Sequence, residues 1–165
     1  MVAFTEAETE RQWDYELLQD GAVSGFRDEK QLDHVVRELQ RLGYRVAQAH
    51  GGTGPTMLTH LLSQVAMRYC GWSVQNLDAF CDTLRYIDFT GVTGWALVIR
   101  QFDEPFRADP AWAQAVADII AQVSYEHLLM GNRFLALLYT RDRTVKLGRL
   151  GGHEHWWREP LGRNS

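Results

Sequence analysis

Leu32, Val35, Val36, Leu39 and Leu42 recur at intervals of three and four among polar residues, the spacing that lines one side of an α-helix. Asp28, with Gln31 three residues on, has the form of a capping box ahead of that run, and Gly43 suits its C-terminal turn. The same spacing at Leu58, Leu61, Leu62, Val65 and Tyr69 predicts a second helix, with Thr56 as its cap. After a connection through Gly71-Trp72-Ser73, a third helix begins near Asn76. A fourth opens at Asp109-Pro110, a cap followed by proline at the first helical position. It carries Trp112, Val116, Ile119, Ile120 and Val123 on its inner side and runs to Gly131.

Between these helices the pattern changes. Trp95-Ala96-Leu97-Val98-Ile99 and Phe134 to Tyr139 are unbroken apolar runs of strand length, the mark of strands covered on both faces. Tyr44 to Ala49 reads as a short strand, and His50 to Thr56, with its glycines and proline, as a loop. Near the N-terminus Tyr15-Glu16-Leu17-Leu18 and Ala22-Val23-Ser24-Gly25-Phe26 flank Asp20-Gly21, which predicts a β-hairpin. Thr144 to Leu147 would add an edge strand. Alternation of strands with helices predicts an α/β fold: a small, mainly parallel sheet with right-handed crossovers, flanked by helices.

Composition narrows the class. A chain of 165 residues is expected to form one domain, divided into a hairpin and helix at 13–43, a core at 44–140 and a basic, tryptophan-containing tail at 141–165. The hydrophobic share of 45% and charged share of 23% exclude wholesale disorder. A net charge of −4 argues against a general nucleic-acid binder. Two cysteines are too few for a disulfide framework and fit a reducing compartment. Val46 to Met67 carries no Asp, Glu, Lys or Arg, yet Gln48, His50, Pro55, His60 and Gln64 interrupt it, so it does not read as a membrane span. The acidic start (Glu6, Glu8, Glu10) lacks the form of a signal peptide, and the expected location is the cytoplasm.

Enzyme motifs fall short. His50-Gly51-Gly52-Thr53-Gly54-Pro55-Thr56 lacks the lysine of a P-loop, and Met57 stands where a dinucleotide fingerprint needs its third glycine. Gly71-Trp72-Ser73-Val74-Gln75 begins like a nucleophile elbow but ends in glutamine. Cys70, Cys81, His153 and His155 could supply zinc ligands, but without a paired-cysteine spacing. Neither a metal nor a cofactor is expected.

Asn76-Leu77-Asp78-Ala79-Phe80-Cys81-Asp82-Thr83-Leu84-Arg85 is the informative segment. On a helix, Leu77, Phe80, Cys81 and Leu84 fall within about 100° of one another, while Asp78 and Asp82 lie about 40° apart on a different face. Such a face is either solvated, with Arg85 balancing Asp82, or a pair of fixed carboxylates offered to a cationic partner. The pair could also serve acid–base chemistry in a small hydrolase.

This segment resembles the acidic helix of the barstar family, intracellular inhibitors of secreted bacterial ribonucleases, which carry Asn-(Leu/Trp)-Asp-Ala-Leu-x-Asp-x-Leu after an aromatic–aromatic–glycine approach. Arg100-Gln101-Phe102-Asp103 also resembles the family pattern, and the likeness spans about residues 44–140. It implies a three-stranded parallel core and a function of plugging a ribonuclease active site, without direct contact with nucleic acid. By position, Asp82 would lie where the RNA phosphate sits and meet the enzyme's cations. Asp78 would be a second carboxylate, Asn76 would hold the loop at the interface edge, and Trp72 would stack on the partner. Ser73 and Val74 depart from the approach loop, Cys81 stands where the best-known member has tryptophan, and Arg85 sets a cation beside the acids. These departures imply a different cognate enzyme. The alternatives are an interaction or immunity domain against a toxin that is not a ribonuclease, and the carboxylate-dependent hydrolase.

Charge is distributed in the sense this function needs. Residues 75–104 hold Asp78, Asp82, Asp88, Asp103 and Glu104 against Arg85 and Arg100, whereas the tail is basic. Trp156-Trp157 in the tail is expected to cover a sheet edge, with a second contact surface as the alternative.

Overall fold

The computed structural model describes residues 3–4, 13–52, 54–65 and 76–160. In chain order the elements are α1 (Trp13–Gln19), β1 (Val23–Phe26), α2 (Glu29–Arg41), β2 (Tyr44–His50), α3 (Gly54–Val65), α4 (Leu77–Arg85), β3 (Gly94–Arg100), α5 (Asp103–Ala108), α6 (Pro110–Leu129), β4 (Phe134–Tyr139) and β5 (Trp157–Arg158). The strands form one sheet in the order β2-β3-β4-β1-β5, and every pairing is parallel. The expected α/β architecture is therefore present.

Both faces of the sheet are covered, which is why β3 and β4 read as unbroken apolar runs. Trp95, Leu97 and Ile99 of β3, with Phe134, Ala136 and Leu138 of β4, pack against α3, α4 and α6 through Leu58, Leu61, Phe80, Leu84, Val116 and Ile120. The alternate residues Ala96, Val98, Leu135, Leu137 and Tyr139 face α1 and α2 through Leu17, Leu32, Val35 and Leu39. Caps bound the helices close to where the sequence placed them, although Gln31 Oε1 meets no partner among the described residues, so Asp28 caps α2 without closing a box. Asp28 accepts from the Lys30 amide at 3.0 Å, Asp109 accepts from the Trp112 amide at 3.0 Å, and Gly131 takes φ +82° just beyond α6.

Four expectations need correction. Residues 13–26 do not form a hairpin: Trp13–Gln19 is helical, and only Val23–Phe26 is a strand, which pairs parallel with β4. The physical reason is Asp14, fully buried beneath the helix, which accepts from the Tyr44 hydroxyl at 2.8 Å and the Arg133 guanidinium at 3.0 Å. Burial foremost, and then the adjacent Asp14 carboxylate, raise the Tyr44 phenol above its ordinary range. Second, the β2-β3-β4 core is present but extended to five strands without a hairpin, because β1 enters the sheet beside β4 and the tail adds β5. Third, Thr144 to Leu147 is not a strand. Val145 is buried as part of a strap whose carbonyl accepts from Arg27 at 3.0 Å. Fourth, α3 starts at Gly54, so Thr56 lies within the helix instead of capping it.

The tail docks on β1. Gly25 makes this possible, since a Cβ there would stand 2.5 Å from the Trp157 ring. Arg27 stacks over the same ring at 4.2 Å, and His155 meets it edge-on at 5.1 Å. Trp157 thus covers the sheet edge, while Trp156 is 70% exposed. Burial pushes the His155 imidazole down to about 4, and the neighbouring Arg27 cation acts in the same direction. The unfolded chain, with its ordinary value of 6.5, takes up the proton first, so stability falls as pH drops from 6.5 towards 4. Unfolding measured across that window should show this slope, and His155→Phe, which keeps a ring on Trp157 without a titrating group, should flatten it.

Candidate functional site

The acidic helix α4 is fixed before it can present anything. Asn76, extended at φ −149° and ψ 164°, accepts from the Ala79 amide at 2.8 Å as the N-cap. A cap of this kind is worth about 1 kcal/mol. Phe80 and Leu84 are fully buried, and each contributes about 1.5–3 kcal/mol of apolar burial. At the other end, buried His127 of α6 shares a 2.8 Å hydrogen bond with the Leu84 carbonyl and lies edge-on to Phe89 and Phe134. A short helix of nine residues is thereby held at its cap, its inner face and its last turn.

With the inner face committed, Asp78 and Asp82 are left outside. Both are exposed, the Asp82 side chain to 69%. Asp78 has no ion-pair partner among the described residues. Arg85 is the adjacent cation, but its guanidinium is engaged elsewhere. Nε and one Nη bond the two carboxylate oxygens of Glu126 on α6, at 2.8 and 2.9 Å. The remaining Nη stands 3.6 Å from Asp82, outside hydrogen-bond range. The fork to Glu126 holds Arg85 above its ordinary range and the Glu126 carboxyl below its own. Arg85 is consequently a strut between α4 and α6 that shields Asp82 only partly. Arg100, the other cation of residues 75–104, is 14% exposed and held away from α4 by Asp33 and Glu29 of α2, at 2.7 and 3.2 Å.

Cys81 is half-buried, packed against the core beside the two acids, and burial foremost raises its thiol. Asn76, Asp78, Asp82 and Arg85 share the cap and outer surface of α4. Trp72 and Val74, the approach-loop candidates, lie outside the described residues, as do Cys70 and Ser73. Among the described residues no three His, Cys, Asp or Glu side chains gather as metal ligands.

Three residues of this site were not singled out in the sequence. Glu126 and His127 lie within an apolar helix and gain their parts only when α6 packs on α4. Tyr86, which ends α4, is 83% exposed. Its position directly after the acidic motif was the available signal.

No family model matches the sequence, and no curated protein matches it. A chain in the structure of the Drosophila ORC bound to DNA is similar in fold, with a TM-score of 0.59 at 16% identity. The similarity covers 87% of this chain and 40% of that one. At that identity the likeness concerns the α/β architecture alone. No helix among the described residues is long and apolar enough to cross a membrane.

Proposed function

We propose that the protein is a barstar-like inhibitor that binds a cognate bacterial ribonuclease and occludes its active site, with α4 standing in for the RNA phosphates. One observation carries this reading: Asp78 and Asp82 are both exposed on a helix whose own cation is tied to Glu126. Fixed carboxylates on a rigid element lose little freedom on binding and attract Arg, Lys or protonated His. The parallel order β2-β3-β4 over residues 44–139, with α3, α4 and α6 on one face, supports the same assignment.

The chain would act in the cytoplasm of the cell that makes the enzyme, sequestering it as an immunity protein does. The partner is a secreted ribonuclease or toxin nuclease domain with a basic active site, and the chain itself needs no cofactor. Co-purification from the native host, followed by titration of RNA cleavage, tests the proposal. A one-to-one endpoint of inhibition is expected. Capture of a partner that is not a nuclease would favour a different immunity or interaction function on the same fold. Association should also slow as salt rises, because screening at physiological ionic strength already acts beyond about 8 Å. Stopped-flow rates that do not change with salt would contradict an electrostatic encounter through α4.

A further inference from the structure

In the order β2-β3-β4-β1-β5, the connection after β1 runs to one edge of the sheet and the connection after β4 to the other. Adjacent parallel strands whose connections diverge open a crevice beyond their carboxyl ends, the place where open α/β sheets bind ligands. Here that crevice is a cleft of about 380 Å³ lined by Arg27 and Asp28 after β1, Arg141 and Arg143 after β4, and Pro160 after β5. It adjoins the N-terminal end of α2, a helix of 13 residues.

The three guanidiniums are held differently. Arg27 is only 9% exposed. Its two Nη groups donate to the Asp142 and Val145 carbonyls, and its Nε has no hydrogen-bond partner among the described residues. Arg141 gives Nε to the Tyr139 hydroxyl at 2.9 Å, leaving its two Nη groups without a partner among the described residues. Arg143 reaches Glu159 at 2.7 Å on the exposed rim. Asp28, the remaining charge in the lining, is turned to the Lys30 amide as the cap of α2. Two exposed cations, Arg141 and Arg143, therefore line a concave site above the buried Arg27, and the counter-charges nearby are the capping Asp28, the rim Glu159 and Asp142.

We propose that this cleft is a binding site for a phosphate group, carried by a small molecule such as pyrophosphate or a nucleoside polyphosphate. Guanidiniums pair with phosphate oxygens through two parallel N–H bonds, a geometry that the unpartnered Arg141 nitrogens leave available. Arg27-Asp28 makes the β1–α2 turn without any glycine-rich backbone cradle, so side chains must supply the contacts. This site is separate from α4 and does not depend on the inhibitor reading.

Calorimetric titration of the full chain with inorganic phosphate, pyrophosphate and ATP is the test. Saturable binding is expected, tighter for pyrophosphate than for phosphate. Equal binding of pyrophosphate and ATP would assign the site to the phosphate chain alone, and tighter ATP binding would add a nucleoside contact. Arg141→Ala and Arg143→Ala should each weaken binding about tenfold, and Glu159→Gln, which frees Arg143, should strengthen it several-fold. A merely structural role for these rim residues would not yield opposite changes. No saturation at about 10 mM ligand, or unchanged binding in the Arg141→Ala/Arg143→Ala double variant with its melting transition intact, would overturn the proposal.

Discussion

Asp82→Ala should weaken the complex with the cognate ribonuclease by about 2–5 kcal/mol, roughly 30- to 4,000-fold in Kd. The size of the effect comes from both sides of the interface. An exposed carboxylate is cheap to keep in the free protein, but once it is buried against the enzyme's cations, truncation leaves those cations unpaired. Fold stability should change by less than about 0.5 kcal/mol, because the side chain is 69% exposed and, among the described residues, meets only Arg85 at 3.6 Å. Relief of its repulsion with Asp78 four residues away even favours the free helix by about 0.2–0.5 kcal/mol. Binding and unfolding measured on the same variant should therefore separate cleanly. A large loss of stability with unchanged affinity would reverse the assignment.

The largest effect on folding is expected at Asp14. It is fully buried and accepts from Tyr44 and from Arg133, which is itself only 7% exposed. Removing one member of a buried ion pair is strongly destabilising, and the Tyr44 hydroxyl also loses its acceptor, so Asp14→Ala should cost about 3–5 kcal/mol. In a domain of this size that lowers Tm by roughly 6–20 °C. Asp14→Asn, which still offers an acceptor to Tyr44, should cost less. Denaturant midpoints of the two variants check the order. Arg133 also stacks on Phe4 at 3.9 Å and donates to the Ala3 carbonyl at 2.6 Å, so the same cluster ties the first described residues to the sheet.

That cluster also marks the limit of what could be read along the chain. The apolar runs of β3 and β4, the caps Asp28 and Asp109 and the stripe of α2 are local signals, and each element forms where its signal stands. Residues 15–18 carried a misleading one. Asp20-Gly21 between two apolar-rich segments mimics a hairpin turn, whereas contacts to Tyr44 and Arg133, 30 and 119 residues from Asp14, favour the helix. The two residues of β5 are too short to show a period, and their pairing depends on Gly25 leaving room for Trp157. The acidic helix was legible because its cap, its buried stripe and its two carboxylates lie within ten residues. Its brace was not, since Glu126 stands 41 residues from Arg85 and resembles any surface acid until α6 is docked.

Competition with a mononucleotide for the partner enzyme probes the central claim most directly. If α4 occupies the phosphate site, a nucleotide bound in the ribonuclease active site and this protein should exclude each other, and the apparent Kd of the complex should rise in proportion to nucleotide concentration. An unchanged Kd at saturating nucleotide, or a complex that still cleaves RNA, would contradict it.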